Sequence, residues 1–202
     1  MELMHLEYLN PLLTHFEPVS LEEMNAVRLM NRIDTKYTTS IDLLPAILLS
    51  LQKDYRIQEI TCRRNMPYET TYLDTEGREM FMAHQNGRTV REKIRVRTYK
   101  DSGLTFLEVK NKNNKGRTDK KRILVSSLLN MQEEGAEDFL QKYAWYSLSQ
   151  LSGKLQNSFN RITLVNKQMT ERLTIDTNVC FQDLLTGQQA AMDQVAIIEL
   201  KR

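Results

Sequence analysis

Residues 91–112, REKIRVRTYKDSGLTFLEVKNK, decide how the rest of the chain is read. Side chains of a strand alternate between two faces, so the first half sets Arg91, Lys93, Arg95, Arg97 and Tyr99 on one side and Ile94, Val96 and Thr98 on the other. Asp101-Ser102-Gly103 has the composition of a turn. The second half then sets Phe106, Glu108, Lys110 and Lys112 opposite Leu107, Val109 and Asn111. The expected product is a hairpin with one basic side and one apolar side. A single hairpin of this kind on a surface simply turns its charges to water. The reading therefore depends on whether other strands repeat the pattern.

Working outward, they do. Residues 31–39 are rich in β-formers and place Arg32, Asp34, Lys36 and Thr38 on one face. Residues 120–125 alternate Lys120 and Arg122 with Ile123 and Val125. Residues 155–166 set Phe159, Arg161 and Thr163 against Ile162 and Leu164, and residues 172–180 set Arg172, Thr174 and Asp176 against Leu173 and Ile175. The last strand, 195–202, offers Glu199 and Lys201 against Ile198 and Leu200. Residues 55–61 and 68–74 read as strands that serve packing and connection.

Helices are few. Ser20 with Glu23 forms a capping-box pattern opening a helix to about Met30. Asp42 is placed to cap a helix to about Lys53, with Pro45 in its first turn. Residues 78–86 form a short helix stopped by Gly87. Residues 133–151 give the clearest helix, in which Trp145 is expected to pack.

About seven strands thus have one charged and one apolar face. Either the sheet packs its apolar side on a core and shows charge to water, or it closes so that charge lines an interior. Surface faces usually mix acids and bases, whereas these concentrate cations with few acids, Asp34, Glu108, Asp176 and Glu199. Like charges on neighbouring strands repel, so the arrangement asks for a polyanion.

Composition agrees. The 202 residues, 41% hydrophobic and 27% charged, suit one compact domain with a real core. The formal charge of +2 conceals a segregation: residues 88–122 carry 13 Lys and Arg against 4 Asp and Glu, a local +9. That pattern points to an anion held at one place, not to a protein basic all over. Cys62 and Cys180 have no ligand spacing around them and read as reduced thiols. The acidic amino terminus is unlike a signal peptide, and no apolar run approaches a membrane span, which leads to the expectation of a soluble, cytoplasmic protein. Nucleotide motifs of the GxxxxGK[ST] and GxGxxG types are absent, and His5, His15 and His84 form no ligand pattern. Nucleic acid is not expected, since only Tyr99 and Phe106 approach the stacking role of a single-strand site.

A resemblance covers roughly residues 20–202. Asp34-Thr35-Lys36-Tyr37, Thr70-Thr71-Tyr72-Leu73-Asp74-Thr75, Lys93-Ile94-Arg95-Val96-Arg97-Thr98-Tyr99, Phe106-Leu107-Glu108-Val109-Lys110, Lys120-Lys121-Arg122-Ile123, Asn160-Arg161, Arg172-Leu173-Thr174-Ile175-Asp176-Thr177 and Ile198-Glu199-Leu200-Lys201 stand in the order found in the VTC domain. Each piece is short, and the ordered set is specific. The VTC domain is the polyphosphate polymerase branch of the CYTH, or triphosphate tunnel metalloenzyme, superfamily. The resemblance implies an α+β fold: an antiparallel β-barrel of the triphosphate tunnel type, with a basic interior and flanking helices. It implies a VTC-like tunnel domain over residues 31–202, with residues 1–30 as a helical segment packed on the barrel.

The function implied is transfer of the ATP γ-phosphoryl to inorganic polyphosphate, with Mn²⁺ or Mg²⁺. Its partners would be ATP, triphosphate and polyphosphate, and a membrane-protein partner is compatible with it. Position by position, Lys36, Arg95, Arg97, Lys110 and Arg161 become the catalytic cations, and Lys93, Lys120, Arg122, Arg172 and Lys201 further phosphate ligands. Glu199 becomes a metal ligand by its place in the Glu-x-Lys ending. Glu108 is a second metal candidate, with a salt bridge to Lys110 or an arginine as its equal alternative. The chemistry suits these types, because phosphoryl transfer needs positioning and charge neutralisation more than covalent help.

Two departures from the pattern matter. Arg32 stands where the hydrolase and cyclase branches begin an ExExK motif, which favours the polymerase branch. The chain also stops at Arg202, where the family continues into a final helix with a Ser-Lys-Tyr-like segment, so a truncated or a reduced protein is expected. Two alternatives use the same tunnel: a tripolyphosphate or nucleoside triphosphate hydrolase with water as acceptor, and a non-catalytic polyphosphate-binding module.

Overall fold

The computed structural model describes residues 7–26, 34–115 and 117–202. In chain order the elements are α1 (Asn10–Leu13), β1 (Pro18–Val19), α2 (Leu21–Ala26), β2 (Asp34–Ser40), α3 (Leu44–Leu51), β3 (Tyr55–Gln58), β4 (Asn65–Asp74) and α4 (Glu79–Gln85). There follow β5 (Arg91–Tyr99), β6 (Leu104–Lys112), β7 (Thr118–Val125), α5 (Ala136–Tyr143), β8 (Ser152–Asn166), β9 (Arg172–Asp183), β10 (Gln189–Met192) and β11 (Val195–Lys201). Strands dominate; the β2–β11, β9–β11, β3–β8, β4–β5, β5–β6 and β6–β7 ladders are antiparallel and the short β1–β3 pair is parallel. The chain divides into two compact units, and β8 and β9 each contribute to both. No linker composition announces that division, because it falls inside strands.

The first unit comprises Met1–Pro67, Phe159–Val179 and Ala191–Arg202. Its strand order is β2-β11-β9-β8, with β3 also on β8 and β1 on β3. Leu9, Leu13 and Phe16 from the amino-terminal segment join Leu44 and Leu48 of α3 over Ile57, Ile162, Leu164 and Ile175 of the sheet. Arg64 braces this segment, donating to the carbonyls of Leu13 and Phe16 while paired with Glu59 at 2.7 Å. The capping box forms as expected: Ser20 N–H donates to Glu23 at 2.8 Å and Glu23 N–H to Ser20 Oγ at 3.1 Å. The extension of that helix to Met30, and Arg32, lie outside the described residues.

Two expectations are corrected in this unit. Ser40, not Asp42, caps the turn ahead of α3: its hydroxyl accepts the Asp42 N–H at 3.3 Å over a 3-10 turn at Ile41–Leu43. Strand β3 ends at Gln58 and does not reach Thr61, because Thr61 and Cys62 take positive φ angles of 49° and 61°. A left-handed pair reverses the chain and cannot continue a ladder.

The second unit comprises Tyr68–Ser158 and Cys180–Ala190. Its strand order is β8-β4-β5-β6-β7. The hairpin read from the sequence is present, with Gly103 at φ 69° in the turn and Arg95 opposite Glu108. Ile94, Val96, Leu107 and Val109 pack against Ala136, Phe139 and Leu140 of α5. Asp74 ties β4 to α4, its carboxylate accepting the Met80 and Phe81 N–H groups at 3.0 and 2.9 Å.

The helix expected over residues 133–151 is α5 alone, eight residues from Ala136 to Tyr143, followed by a separate 3-10 turn at Leu148–Gln150. Trp145 is outside the helix and 54% exposed, which corrects the packing role assigned to it. Its N–H donates to the Glu92 carboxylate at 3.0 Å, and that bond turns the chain away from the helix axis. Strand β10 has no counterpart among the strands expected from the sequence, because its Gln-Ala-Ala-Met stretch carries little strand preference.

Each unit ends on an edge strand, β2 in the first and β7 in the second, with one hydrogen-bonded neighbour apiece among the described residues. A mostly antiparallel sheet with few helices, the α+β class expected from the sequence, is thus present. Part of the basic side is buried along β5 and β6. Arg95 and Arg97 are 8% exposed and Glu108 0%, while Ile94 and Leu107 on the opposite side are 1% and 0%. Arg95, Arg97 and Glu108 are thus withdrawn from water, Lys93 and Lys110 are half-buried, and Lys120 and Arg122 of β7 are exposed.

Candidate phosphate-binding site

In the second unit, strand register builds the basic side row by row. Tyr72, Arg95, Glu108 and Arg122 lie abreast on β4, β5, β6 and β7. Thr70, Arg97 and Phe106 make the adjacent row, and Lys93, Lys110 and Lys120 the row beyond Arg95. Three lysines abreast are destabilising unless an anion lies among them. Glu108 supplies part of that charge. Arg95 directs Nε and Nη2 to Glu108 Oε2 at 2.7 Å each, and Lys120 donates to Oε1.

The arginines are also held by neutral contacts. Arg97 Nε donates to Thr70 Oγ1 at 3.0 Å and its guanidinium stands 5.5 Å from the Tyr68 ring, while that of Arg122 lies 4.4 Å over Phe106. Held this way, guanidinium groups need little rearrangement to meet phosphate oxygens.

The local field is positive, and several groups register it. Burial pushes the Lys110 ammonium down to about 7, helped by the charges of Arg95 and Lys120 and opposed by Glu108. Lys120 is lowered as well, by burial first. For the Tyr72 phenol, burial acts upward, yet Arg95, Arg97 and Lys93 hold it below its ordinary value. Burial alone would raise Glu108; Arg95 and Lys120 outweigh it and hold the carboxyl at about 2.

The first unit carries a smaller cluster. Lys36, Glu199 and Thr174 lie abreast on β2, β11 and β9, with Lys201 opposite both Asp34 and Arg172. Lys201 donates to Glu199, and Lys36 stands 3.9 Å from Glu199 Oε1, at the limit of an ion pair. Arg161 forks onto Asp176, Nε to Oδ1 at 2.5 Å and Nη2 to Oδ2 at 2.6 Å. Arg172 Nη2 donates to the Met24 carbonyl at 2.9 Å, a contact that ties α2 to the sheet. Burial would raise Glu199, but the Lys201 hydrogen bond and charge, then Lys36 and Arg161, lower it.

The sequence-derived residues therefore fall into two groups. Lys93, Arg95, Arg97, Lys110, Lys120, Arg122 and Glu108 come together in the second unit. Lys36, Arg161, Arg172, Glu199 and Lys201 come together in the first. Sequence reading passed over Thr70 and Tyr72, having treated residues 68–74 as packing. The signal was available: Tyr68, Thr70 and Tyr72 alternate on the strand that pairs with β5.

Among the described residues no three His, Cys, Asp or Glu side chains converge as metal ligands. Both Glu108 oxygens are engaged by cations, as in the salt-bridge reading of that residue. Glu199 suits a hard divalent ion better, because among the described residues Oε1 is approached only by Lys36, at 3.9 Å. Such an ion, taking one carboxylate and completing its shell with phosphate and water oxygens, fits this donor set; a protein-built cage does not.

Comparison with solved structures finds partial likenesses at low identity. A candidate adenylate cyclase from Vibrio parahaemolyticus is 14% identical at a TM-score of 0.46, over 83% of this chain and 74% of that one. The PH1012 protein of Pyrococcus horikoshii OT3 is 10% identical at 0.47, over 84% and 77%. A candidate adenylyl cyclase from Hippeastrum, described as having a dominant triphosphatase activity, is 11% identical at 0.45, over 85% and 78%. No curated protein matches the chain in sequence. The ordered motifs on β2, β4, β5, β6, β9 and β11 lie within residues 31–202, the part matched by the VTC domain family, and the chain belongs to that family.

Proposed function

We propose that this protein transfers the γ-phosphoryl group of ATP to inorganic polyphosphate. The observation that carries the reading is the partly buried basic side of β5 and β6, where lysines and arginines lie abreast around one carboxylate. A linear polyanion matches a row of cations, whereas a single phosphate engages only part of it. In the reaction, an oxygen of the terminal phosphate of the chain attacks the γ-phosphorus of ATP. A new P–O–P linkage forms, the β,γ bond breaks, and ADP leaves with the electron pair. The nucleophile belongs to the substrate, so no protein nucleophile is needed.

Arg95, Arg97 and Lys110 would neutralise the transferred group, with Lys93, Lys120 and Arg122 holding flanking phosphates. Glu108 fixes Arg95 and Lys120 in place, so that their charge is positioned before substrate arrives. In the first unit, Lys36, Arg161 and Lys201 are further phosphate contacts, and Arg172 serves there while bracing α2. A divalent ion, Mn²⁺ or Mg²⁺, held through Glu199 and phosphate oxygens, would supply charge neutralisation.

A second reading, a module that binds polyphosphate without turning it over, is favoured by one observation: Glu108, Asp176 and Glu199 all have cation partners. One assay separates the two. Protein is incubated with ATP and metal, and ADP, phosphate and polyphosphate are resolved. Polyphosphate with equimolar ADP supports the polymerase, free phosphate a hydrolase, and no turnover the binding module. Arg95→Ala is expected to lower the rate on the order of 10²-fold or more; unchanged turnover would remove Arg95 from the chemistry.

A further inference from the structure

The first unit buries a hydroxyl that has no partner among the described residues. Thr174 is 4% exposed, and its Oγ1 is buried without a hydrogen bond. Its chain neighbours Leu173 and Ile175 pack in the core of this unit. Strand alternation therefore turns Thr174 to the other face, with Arg172 and Asp176. There it lies abreast of Glu199 on β11, which lies abreast of Lys36 on β2. A buried hydroxyl left unpaired is costly, so its place beside a carboxylate needs a physical reason.

The partners of Glu199 supply one. Lys201 donates to Oε2, and Lys36 approaches Oε1 at 3.9 Å. Both are cations, and a divalent ion on the carboxylate would be repelled by them. Lys201 would then yield its oxygen, and a half-buried carboxylate oxygen without a donor is unfavourable. Residues directly opposite on an antiparallel pair have Cβ atoms roughly 5 Å apart, so rotation about one Thr174 bond brings its O–H to Glu199. Carboxylates that hold metals are commonly fixed by outer hydrogen bonds of this type.

We propose that Thr174 is a positioning residue for Glu199, its hydroxyl donating to the carboxylate oxygen that Lys201 gives up when the carboxylate takes a divalent ion. The inference rests on the metal role given to Glu199 above and adds the group that orients it. Thr174 acts through Glu199 and touches neither the phosphates nor the ion. In the ligand-free chain Lys201 holds the carboxylate, which leaves the hydroxyl unpaired.

The test titrates tripolyphosphate calorimetrically into the wild-type chain, Thr174→Val, Thr174→Ser and Glu199→Gln, with Mg²⁺ and with a chelator at fixed ionic strength. The readout is the ratio of the two affinities, in which the effect of the ion on free tripolyphosphate is common to all four chains. The ratio is expected to fall about tenfold in Thr174→Val, the lower end for an outer partner of a metal ligand. Affinity in the chelator is expected to stay unchanged, and Thr174→Ser to keep the wild-type ratio. A wild-type ratio in Thr174→Val beside a lowered one in Glu199→Gln overturns the proposal and leaves the metal role of Glu199 standing. Equal ratios in the wild-type chain and Glu199→Gln remove that role and the proposal with it. Affinity lost equally in the chelator would make Thr174 a phosphate contact, and a Thr174→Ser ratio as low as that of Thr174→Val would make its methyl group the cause; either outcome overturns the proposal. Chemical denaturation gives an independent check. Because the hydroxyl is unpaired without ligand, Thr174→Val is expected to be at least as stable as the wild-type chain, and a clear loss of stability would overturn the assignment.

Discussion

At the scale of the residue, Lys110 shows most directly what a basic interior demands. Burial and the neighbouring charges of Arg95 and Lys120 bring its ammonium from 10.5 to about 7. The unfolded chain then binds more protons than the folded one between those values, so this group makes folding stability rise with pH from about 7 towards 10.5. Below about 7 the folded protein bears the full cost of a buried ammonium. Lys110→Met is accordingly expected to stabilise the ligand-free protein by about 2 kcal/mol at pH 6, an advantage that fades as pH rises towards 10.5. The same variant is expected to bind tripolyphosphate about tenfold more weakly at pH 6. Chemical denaturation at several pH values checks the first outcome, and destabilisation at pH 6 would contradict it. At pH 8 the wild-type chain is expected to take up about one proton on binding tripolyphosphate, because the anion restores the charged lysine. Titrations in buffers of different ionisation enthalpy measure that proton directly.

At the scale of the element, the two faces of β7 should differ in what they do. Lys120 lies in the row with Lys110 and donates to Glu108, whereas Lys121 points to the other side, 5.9 Å from the Tyr143 ring of α5. Lys120→Glu and Lys121→Glu make the same change of charge one residue apart. The first is expected to weaken tripolyphosphate binding by tenfold or more, and the second by about twofold at 0.15 M salt, where a charge on the far side is largely screened. Equal losses would mean that overall charge, not the row, attracts the ligand. The element scale is also where sequence reading failed in its details. The apolar spacing of Ala136, Phe139, Leu140 and Tyr143 identifies α5, but the stop after Tyr143 comes from Glu92, a β5 carboxylate 53 positions away that accepts the Trp145 N–H. Likewise, whether Ser40 or Asp42 caps the turn before α3 depends on which of two suitable side chains the backbone presents to the free N–H.

At the scale of the whole molecule, the segregation of charge sets the expected ligand. A patch carrying +9 between residues 88 and 122, in a chain of net charge +2, favours a linear polyanion over one small anion. Tripolyphosphate is expected to bind at least a hundredfold more tightly than orthophosphate in calorimetry at fixed ionic strength. Equal affinities that fall together steeply with salt would instead indicate diffuse surface attraction. Among the described residues no helix is long and apolar enough to cross a membrane.

The sequence by itself determined the alternation. Arg95 and Arg97 share a face, Ile94 and Val96 the other, because a strand has a period of two whatever surrounds it. It also determined the order of motifs, and with it the family, and the positive potential of the central hairpin. Only the tertiary structure decided that Arg95, Arg97 and Glu108 are buried, that Glu108 is shared by Arg95 and Lys120, and that Tyr72 stands beside Arg95. Those facts come from register and packing between strands distant in sequence, and periodicity within one strand holds no information about which strand lies next to it. The place of Thr174 is of the same kind: β9 and β11 are separate in sequence, and only their register sets it abreast of Glu199.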